Sequence, residues 1–326
     1  MKQQLNLCKA IEPDYIPGTG VQVQLLNIRK LDTHYHEKAL ELIFCLEGSV
    51  WGHIAHNHLH LNSGDLVTFD REDVHNVFAD QDNLCLVVHL NLDHPDFSED
   101  NLINTIYSCT THPDFTRHPE SVQLVCDMML ALMYEASSGH TDSTSTCENI
   151  RLNLVDILTR RFSWFSIEEW YAHEDLYNPD DEKYADRFRK ILSYIMQHYR
   201  EKITVSGLSD TIFLNPSYIS SFLRRTTFHS LTEAVNYFRC FYAQKLLLQT
   251  DLPVGEISAL SGFSSQKYFY KAFKYFWQTT PLQHRRQFAI YASQKEEYYT
   301  YSPSEAQSII KDYIADRQVL KAVRQV

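Results

Sequence analysis

A small group of histidine and glutamate residues near the N-terminus has the residue types and spacing of a binding site. One residue separates His34 from His36, Glu41 follows shortly after, and His75 comes after a longer interval. Alternate residues of a β-strand point to the same side, so His34 and His36 are predicted to face the same interior. Imidazole and carboxylate groups bind zinc, iron, nickel or manganese, and they also hydrogen-bond polar small molecules. The residue types leave both chemistries open.

The residues around this group have the pattern of short β-strands. The segments 21–28, 42–46, 66–69 and 84–90 are rich in β-branched and large apolar side chains, and turn signals such as Glu47-Gly48 separate them. Many short strands at this spacing predict a sandwich or barrel over residues 1–95.

The order and spacing of the histidine, glutamate and glycine residues in this region match a known pair of motifs. The residues that carry the match are His34-Tyr35-His36, Glu41, Gly48, Gly64-Asp65 and His75. On these residues the region resembles the cupin barrel. The resemblance implies one pocket lined by His34, His36, Glu41 and His75, which would hold either a transition metal or an organic effector such as a sugar. The segment 70–73, Asp-Arg-Glu-Asp, stands where the cupin motif has proline and glycine.

Two segments in the second half of the chain repeat one pattern. In both 203–225 and 252–274, a short helix, a breaker and a second helix with apolar residues at helical spacing are predicted. Asn215 and Ser264 are predicted to cap the second helices, and Pro216 is predicted at the first helical position of one of them. The pattern indicates two helix-turn-helix motifs.

A set of residues across this stretch matches a known DNA-binding module. It consists of Pro216-Ser217-Tyr218-Ile219, Arg239, Ala243, Leu246-Leu247, Val254-Gly255-Glu256-Ile257, Gly262-Phe263, Tyr268-Phe269, Phe273-Lys274, Thr280-Pro281 and Arg285. On these residues the stretch 203–285 resembles the module of the AraC/XylS family of bacterial transcription regulators. The family has glycine where this chain has Phe228 and Gln278, and an aromatic residue where it has Ala234.

The alignment with this family implies which residues face DNA. Small, polar or basic residues lie on the outward side of the two second helices, and those expected to contact the bases are Ser217, Ser220, Ser221, Lys267, Tyr268 and Lys271, with Gln266 beside them. Four residues are expected to hold phosphates, which position a protein on DNA without reading its sequence: Arg224, Arg225, Lys274 and Arg285.

The formal charge is divided unevenly along the chain. The net charge is −11, yet residues 184–290 carry 14 Lys and Arg against 6 Asp and Glu, whereas residues 1–183 carry 11 against 30. A basic module can displace the counterions of a nucleic acid, and an acidic one is repelled by it. The asymmetry favours DNA binding by residues 184–290.

The remaining segments are predicted to be mainly helical. Residues 96–172 carry apolar side chains at helical spacing, and family analogy assigns them to dimerisation and coupling. Residues 173–183 are interpreted as an interdomain linker, and residues 291–326 as a helical C-terminal extension. The predicted class is α+β multidomain, with an N-terminal cupin-like β-barrel, a helical middle region and a C-terminal all-α module with two helix-turn-helix motifs.

Other features of the composition bear on the compartment. The chain has no apolar run near the length of a membrane span and no signal-peptide pattern in residues 1–10. Its seven cysteines are scattered and fit no disulfide or zinc spacing. We therefore expect a cytoplasmic protein with reduced thiols that does not bind membranes.

Together these features predict a ligand-responsive, sequence-specific DNA-binding transcription regulator that is not an enzyme and requires no cofactor. The expected partners are double-stranded promoter DNA, a small-molecule effector, a second copy of the chain and RNA polymerase. The family resemblance favours activation of a carbohydrate or small-metabolite utilisation operon. Two alternatives stay open: a metal-dependent cupin enzyme with an appended DNA-binding domain, and a module that acts through protein contacts only.

Overall fold

The chain forms two compact units. The computed structural model describes residues 7–54, 57–93, 106–111, 118–162, 182–225, 228–292 and 294–317. Residues 10–163 and 295–326 form one unit, here called the barrel unit, and residues 1–9 and 164–294 form the other, here called the helical unit. The predicted linker, residues 173–183, lies outside the described residues up to residue 181.

The barrel unit is built on one mainly antiparallel sheet. Its strands are β1 (Lys9–Ala10), β2 (Val21–Lys30), β3 (His34–Tyr35), β4 (Ala39–Glu47), β5 (Ser49–Ile54), β6 (Asn57–Asn62), β7 (Leu66–Phe69), β8 (His75–Phe78), β9 (Leu84–Asn91) and β10 (Glu297–Thr300). The hydrogen-bonded order is β1-β3-β8-β2-β9-β4-β7. In addition, β5 pairs with both β6 and β8, and β10 pairs with β2.

The helices of the chain lie in both units. They are α1 (Pro119–Ser138), α2 (Ser143–Arg161), α3 (Glu182–His198), α4 (Val205–Ile212), α5 (Pro216–Arg225), α6 (Leu231–Gln249), α7 (Val254–Leu260), α8 (Gln266–Trp277), α9 (Pro281–Ala292) and α10 (Pro303–Arg317). Among the described residues, no helix combines the length and the apolar composition needed to cross a membrane.

The strand period of two divides the sheet into two packed faces. On β4, Leu42 and Phe44 belong to a hydrophobic cluster shared with the helices of the unit, whereas Ile43 and Cys45 belong to a second cluster on the other face. Strands from both ends of the hydrogen-bonded order, β5 and β6 at one side and β7 at the other, contribute to the second cluster. The sheet therefore curls around this cluster, and the predicted cupin-like barrel class is confirmed.

The C-terminal extension folds into the barrel unit. Its first part is the strand β10, which was not predicted and which pairs with β2 from Lys30 to Leu26. Its second part, α10, buries Ala306 and Ile310 completely in the cluster that also holds α1 and α2. The sequence pattern could not reveal the strand, because β10 is short, its side chains are exposed and it is ordered by pairing with a distant strand.

The helical unit contains the two predicted helix-turn-helix motifs. The first is α4 with α5, the second is α7 with α8, and α6 joins them. The Asn215 side chain accepts a hydrogen bond from the Ser217 main-chain N–H, and Pro216 is the first residue of α5, as predicted. In the second motif the cap is Ser265, which accepts from the Tyr268 main-chain N–H, rather than the predicted Ser264. The helix α8 thus begins one residue later than predicted.

A buried histidine links α9 to α6. The His284 ring is 2% exposed and lies against Phe273 and Phe288, with ring centroids at 5.5 and 4.6 Å. Its Nε2 accepts a hydrogen bond from the Gln244 amide at 3.2 Å. Burial lowers the pKa of His284 to about 3. The folded unit therefore keeps this ring neutral, whereas the unfolded chain protonates it at an ordinary pKa of about 6.5.

We expect this difference to make the helical unit acid-sensitive. In this pH range the unfolded state binds a proton at His284 and the folded state does not. The free energy of unfolding therefore decreases as the pH falls from about 6.5 towards about 3. Between pH 7 and pH 5, His284 alone should lower the free energy of unfolding by roughly 2 kcal/mol. Urea unfolding of wild type and His284→Gln at both pH values measures the difference. The exposed His229→Gln serves as control, and an equal pH dependence in all three proteins would contradict the prediction.

Candidate histidine site and DNA interface

The four predicted pocket residues meet inside the barrel unit. Oε2 of Glu41 lies 2.7 Å from Nε2 of His75, 3.1 Å from Nε2 of His36 and 3.6 Å from Nε2 of His34. The four side chains are buried, and one ligand atom from each lies within 4.8 Å of all the others. The local fold brings them together, since His34 of β3 pairs directly with His75 of β8.

Main-chain carbonyl groups hold the other nitrogen of each ring. The Nδ1 atoms of His34, His36 and His75 lie 2.7, 2.6 and 2.9 Å from carbonyl oxygens, which belong to Asp32, Ile11 and Asp73 respectively. A carbonyl oxygen only accepts hydrogen bonds, so each Nδ1 carries a proton and donates it. In a neutral ring the Nε2 atom is then an acceptor, and the Glu41 carboxylate that it faces is an acceptor too. These contacts require a further proton or a cation between Glu41 and the rings that face it.

The pKa values of the four side chains limit which of them can carry that further proton. Burial lowers the pKa of His75 to about 4, so its ring is neutral at pH 7. Burial also opposes a charge on His36, but the hydrogen bond and the charge of Glu41 raise its pKa above the ordinary value. Burial alone would raise the pKa of Glu41, yet the surrounding histidines hold it well below its usual range. One imidazolium at His36 balances the carboxylate and still leaves His75 and Glu41 facing each other as acceptors.

The donor set fits a transition metal ion. Imidazole nitrogen together with carboxylate oxygen is a ligand combination of zinc, iron, nickel and manganese sites. In such sites the second ring nitrogen usually donates to a carbonyl or carboxylate, which fixes the orientation of the ring. His34, His36 and His75 all have that second contact. A divalent cation among the Nε2 atoms and Glu41 would bind both His75 and Glu41, which otherwise face each other as acceptors.

A fifth buried residue, His89, belongs to the same site and was not predicted. It stands opposite Glu41 in the β4–β9 pairing, with its Nε2 atom 3.7 Å from Oε1 of Glu41. Burial lowers its pKa to about 3, and its Nδ1 atom has no hydrogen-bond partner within the described part of the chain. The signal in the sequence was its alternation with Cys85 and Val87, which face the barrel interior. Only the strand pairing shows that this face meets Glu41.

The second group of histidines, on β5 and β6, lies apart from this site. His58 and His60 are exposed, and His56 lies outside the described residues. His53, by contrast, is only 6% exposed. Its ring packs against His58 and Phe78, at centroid distances of 4.1 and 5.1 Å, because β5 is covered by its neighbours β6 and β8.

The second helices of the two motifs present the predicted residues on one side. On α5, Ser217 and Arg224 are exposed, and Ser220 and Ser221 are half-buried. On α8, the predicted residues Gln266, Lys267, Tyr268, Lys271 and Lys274 are all exposed. The opposite sides are apolar and buried, formed by Ile219, Phe222 and Leu223 on α5 and by Phe269, Ala272 and Phe273 on α8. The side chain of Arg225 lies outside the described residues.

Arg285 does not lie where a phosphate contact was predicted. Its guanidinium donates to three main-chain carbonyl groups at and just after the end of α6, those of Leu247, Thr250 and Leu252, at 2.7 to 3.1 Å. These carbonyls have no partner within the helix, so an arginine that satisfies them stabilises the junction between the two motifs. The correction follows from packing, because a basic residue on a helix predicts exposure unless the neighbouring chain is known.

Comparisons with known proteins support the prediction of helix-turn-helix motifs in the helical unit. A helix-turn-helix domain model matches residues 208–287. An HTH-type transcriptional regulator of Staphylococcus aureus is 21% identical over 84% of this chain and 35% of its own length, and the E. coli regulator YijO is 28% identical over 33% and 38%. The C-terminal domain of AraT, a response regulator from Geobacillus stearothermophilus, is 30% identical over 30% of this chain and 83% of that one, with a TM-score of 0.28.

The chain spans about a third of the length of the curated relatives it matches. The matched domain runs from α4 to α9, where the two motifs and the connecting helix lie. Residues 208–287 therefore form an AraC-type helix-turn-helix domain, and the curated relatives that the chain resembles are HTH-type transcriptional regulators.

Proposed function

We propose that this chain is a sequence-specific, ligand-responsive DNA-binding transcription regulator. One observation carries the proposal: both second helices bury an apolar side and present small, polar and basic residues on the other. In helix-turn-helix proteins the second helix enters the major groove, and its outward residues contact the base edges. Lys267, Tyr268 and Lys271 supply longer side chains on α8 than the serines do on α5. We therefore assign more of the base recognition to α8.

The test of DNA binding compares two exposed lysines. Lys271 lies on the outward side of α8, and Lys311 lies on α10 in the barrel unit. We expect Lys271→Ala to weaken binding to a duplex selected from a random pool by roughly tenfold, because it removes a base contact, and Lys311→Ala to leave it unchanged. The affinity should also fall steeply as salt rises, since phosphate contacts release counterions.

Equal affinities of the two variants would contradict the assignment of the recognition side. Failure of the wild-type chain to select any duplex would contradict DNA binding itself and would favour the alternative in which the module acts through protein contacts. Electrophoretic mobility shifts at two salt concentrations give both results.

We further propose that a divalent transition metal occupies the site formed by His34, His36, Glu41 and His75. The observation that favours it is the meeting of acceptor atoms around Glu41, with His75 neutral at pH 7. Such a metal would be either the signal itself or part of the pocket for a small molecule. In both cases it would regulate only through a different affinity for two arrangements of the protein.

The rival prediction of a metal-dependent enzyme rests on the same four residues. It predicts turnover that is lost together with the metal, whereas a regulator requires only a change of DNA affinity. Activation, control of a carbohydrate operon, dimerisation and contact with RNA polymerase stay predictions drawn from the family.

A further inference from the structure

The two helix-turn-helix motifs turn at equivalent positions that carry very different residues. Each first helix is followed by a residue with positive φ, which is Gly262 after α7, at +84°, and Phe213 after α4, at +56°. Glycine adopts this left-handed region freely, but an L residue with a Cβ atom pays a steric cost there. At Gly262 an added Cβ would lie 2.7 Å from the Arg200 carbonyl oxygen, so the second motif requires glycine.

The fold does not account for phenylalanine at the first turn. The Phe213 side chain is 91% exposed, more than any other large apolar side chain in the described ranges. Other residues hold the turn, since the Ser209 hydroxyl donates to the Leu214 carbonyl at 2.6 Å and Asn215 caps α5. A large apolar side chain in a strained conformation, with almost no contact to its own chain, points to a contact with another molecule.

The position of Phe213 indicates what that molecule is. The turn leads directly into the N-terminal end of α5, the part of a recognition helix that contacts base edges. At the N-terminal end of α5 the outward residues Ser217, Ser220 and Ser221 are serines, and the Ser220 hydroxyl already donates to the Pro216 carbonyl at 3.0 Å. The first motif therefore has few groups that could distinguish one base pair from another. The major groove offers one apolar feature, the C5-methyl group of thymine, which phenylalanine side chains contact.

We propose that Phe213 is a specificity-determining residue that packs against a thymine methyl group in the half-site bound by the first motif. This inference rests on the proposed DNA-binding function. Base recognition by the first motif would then depend on an apolar side chain, and base recognition by the second motif on basic side chains. Recognition would then differ between the two half-sites.

The experiment uses a duplex that wild-type protein selects from a random pool. Each thymine is replaced in turn by deoxyuridine, which lacks only the methyl group, and the affinity is measured for wild type and for Phe213→Gly. Glycine occurs at the same turn of the second motif, so this variant should fold as well as wild type. We expect one replacement to weaken wild-type binding about fourfold, the loss of one methyl contact. Phe213→Gly should bind the unmodified duplex more weakly and should not distinguish thymine from uracil at that position.

The control variant is Ile290→Ala, which removes another exposed apolar side chain of the helical unit, 66% exposed near the end of α9. It should retain wild-type affinity and the wild-type response to deoxyuridine. Unchanged affinity of Phe213→Gly, or an unchanged response to every deoxyuridine, would overturn the inference while leaving DNA binding intact. Retained DNA recognition with loss of transcription by added RNA polymerase would also overturn it, and would assign Phe213 to a protein contact. If wild type selects no duplex, the proposed function fails first, and this inference fails with it.

Discussion

Glu41→Gln is expected to abolish transition-metal binding. The substitution keeps the shape of the side chain and removes the negative charge on which the Nε2 atoms of three histidines converge. After incubation with Zn²⁺, Ni²⁺, Mn²⁺ or Fe²⁺ and gel filtration, elemental analysis should find about one metal per wild-type chain and none in the variant. At a free metal concentration of about 100 times Kd, binding should stabilise the wild-type barrel unit by roughly 2.7 kcal/mol. Such a stabilisation should raise its Tm by several degrees.

A matched variant separates this site from metal binding elsewhere. His60 is an exposed imidazole on β6 that stacks on Trp51, so His60→Ala should retain the metal and the rise in Tm. His36→Ala should behave as Glu41→Gln does. Stoichiometric metal retained by Glu41→Gln, or wild-type protein that binds none of the four ions, would contradict the metal proposal. In the second case protons alone would balance the site, and an organic effector would become the leading signal.

Ile310→Ala is expected to destabilise the barrel unit by about 2–5 kcal/mol, although Ile310 lies close to the C-terminus. Its side chain is completely buried in the cluster formed with α1, α2 and the outer face of the sheet. Removing it leaves a cavity in a core whose total stability is only about 5–15 kcal/mol. Urea unfolding measures the loss, and the neighbouring exposed Lys311→Ala should lie within about 0.5 kcal/mol of wild type.

The same reasoning extends to the whole extension. A chain that ends at Gln294 lacks β10 and α10, so it exposes the edge of β2 and the apolar surface of α1. We expect that chain to lose the cooperative unfolding transition of the barrel unit. A truncated chain that unfolds at the wild-type urea concentration would show that the extension does not stabilise the barrel unit.

Much of this molecule could be predicted from local patterns. The two helix-turn-helix motifs follow from helical periodicity, breakers and caps, which act over a few residues and are visible in the sequence. The residues His34, His36, Glu41 and His75 followed from the spacing of a known motif. The alternation of side chains on a strand also predicts which of them face inward.

The tertiary structure decided the contacts between residues that are far apart in sequence. His89 joins the site because the register of β9 places it opposite Glu41, and a strand pattern does not specify its partner strand. Arg285 binds the end of α6 rather than phosphate, because its long side chain reaches carbonyl groups about 35 residues away in sequence. The extension returns to β2 and α1, since an apolar helix face predicts burial but does not say against what. Helix caps, turns and side-chain periodicity depend on neighbouring residues, so the sequence predicts them. Strand pairing and packing depend on residues that are far apart in the chain, so only the tertiary structure decides them.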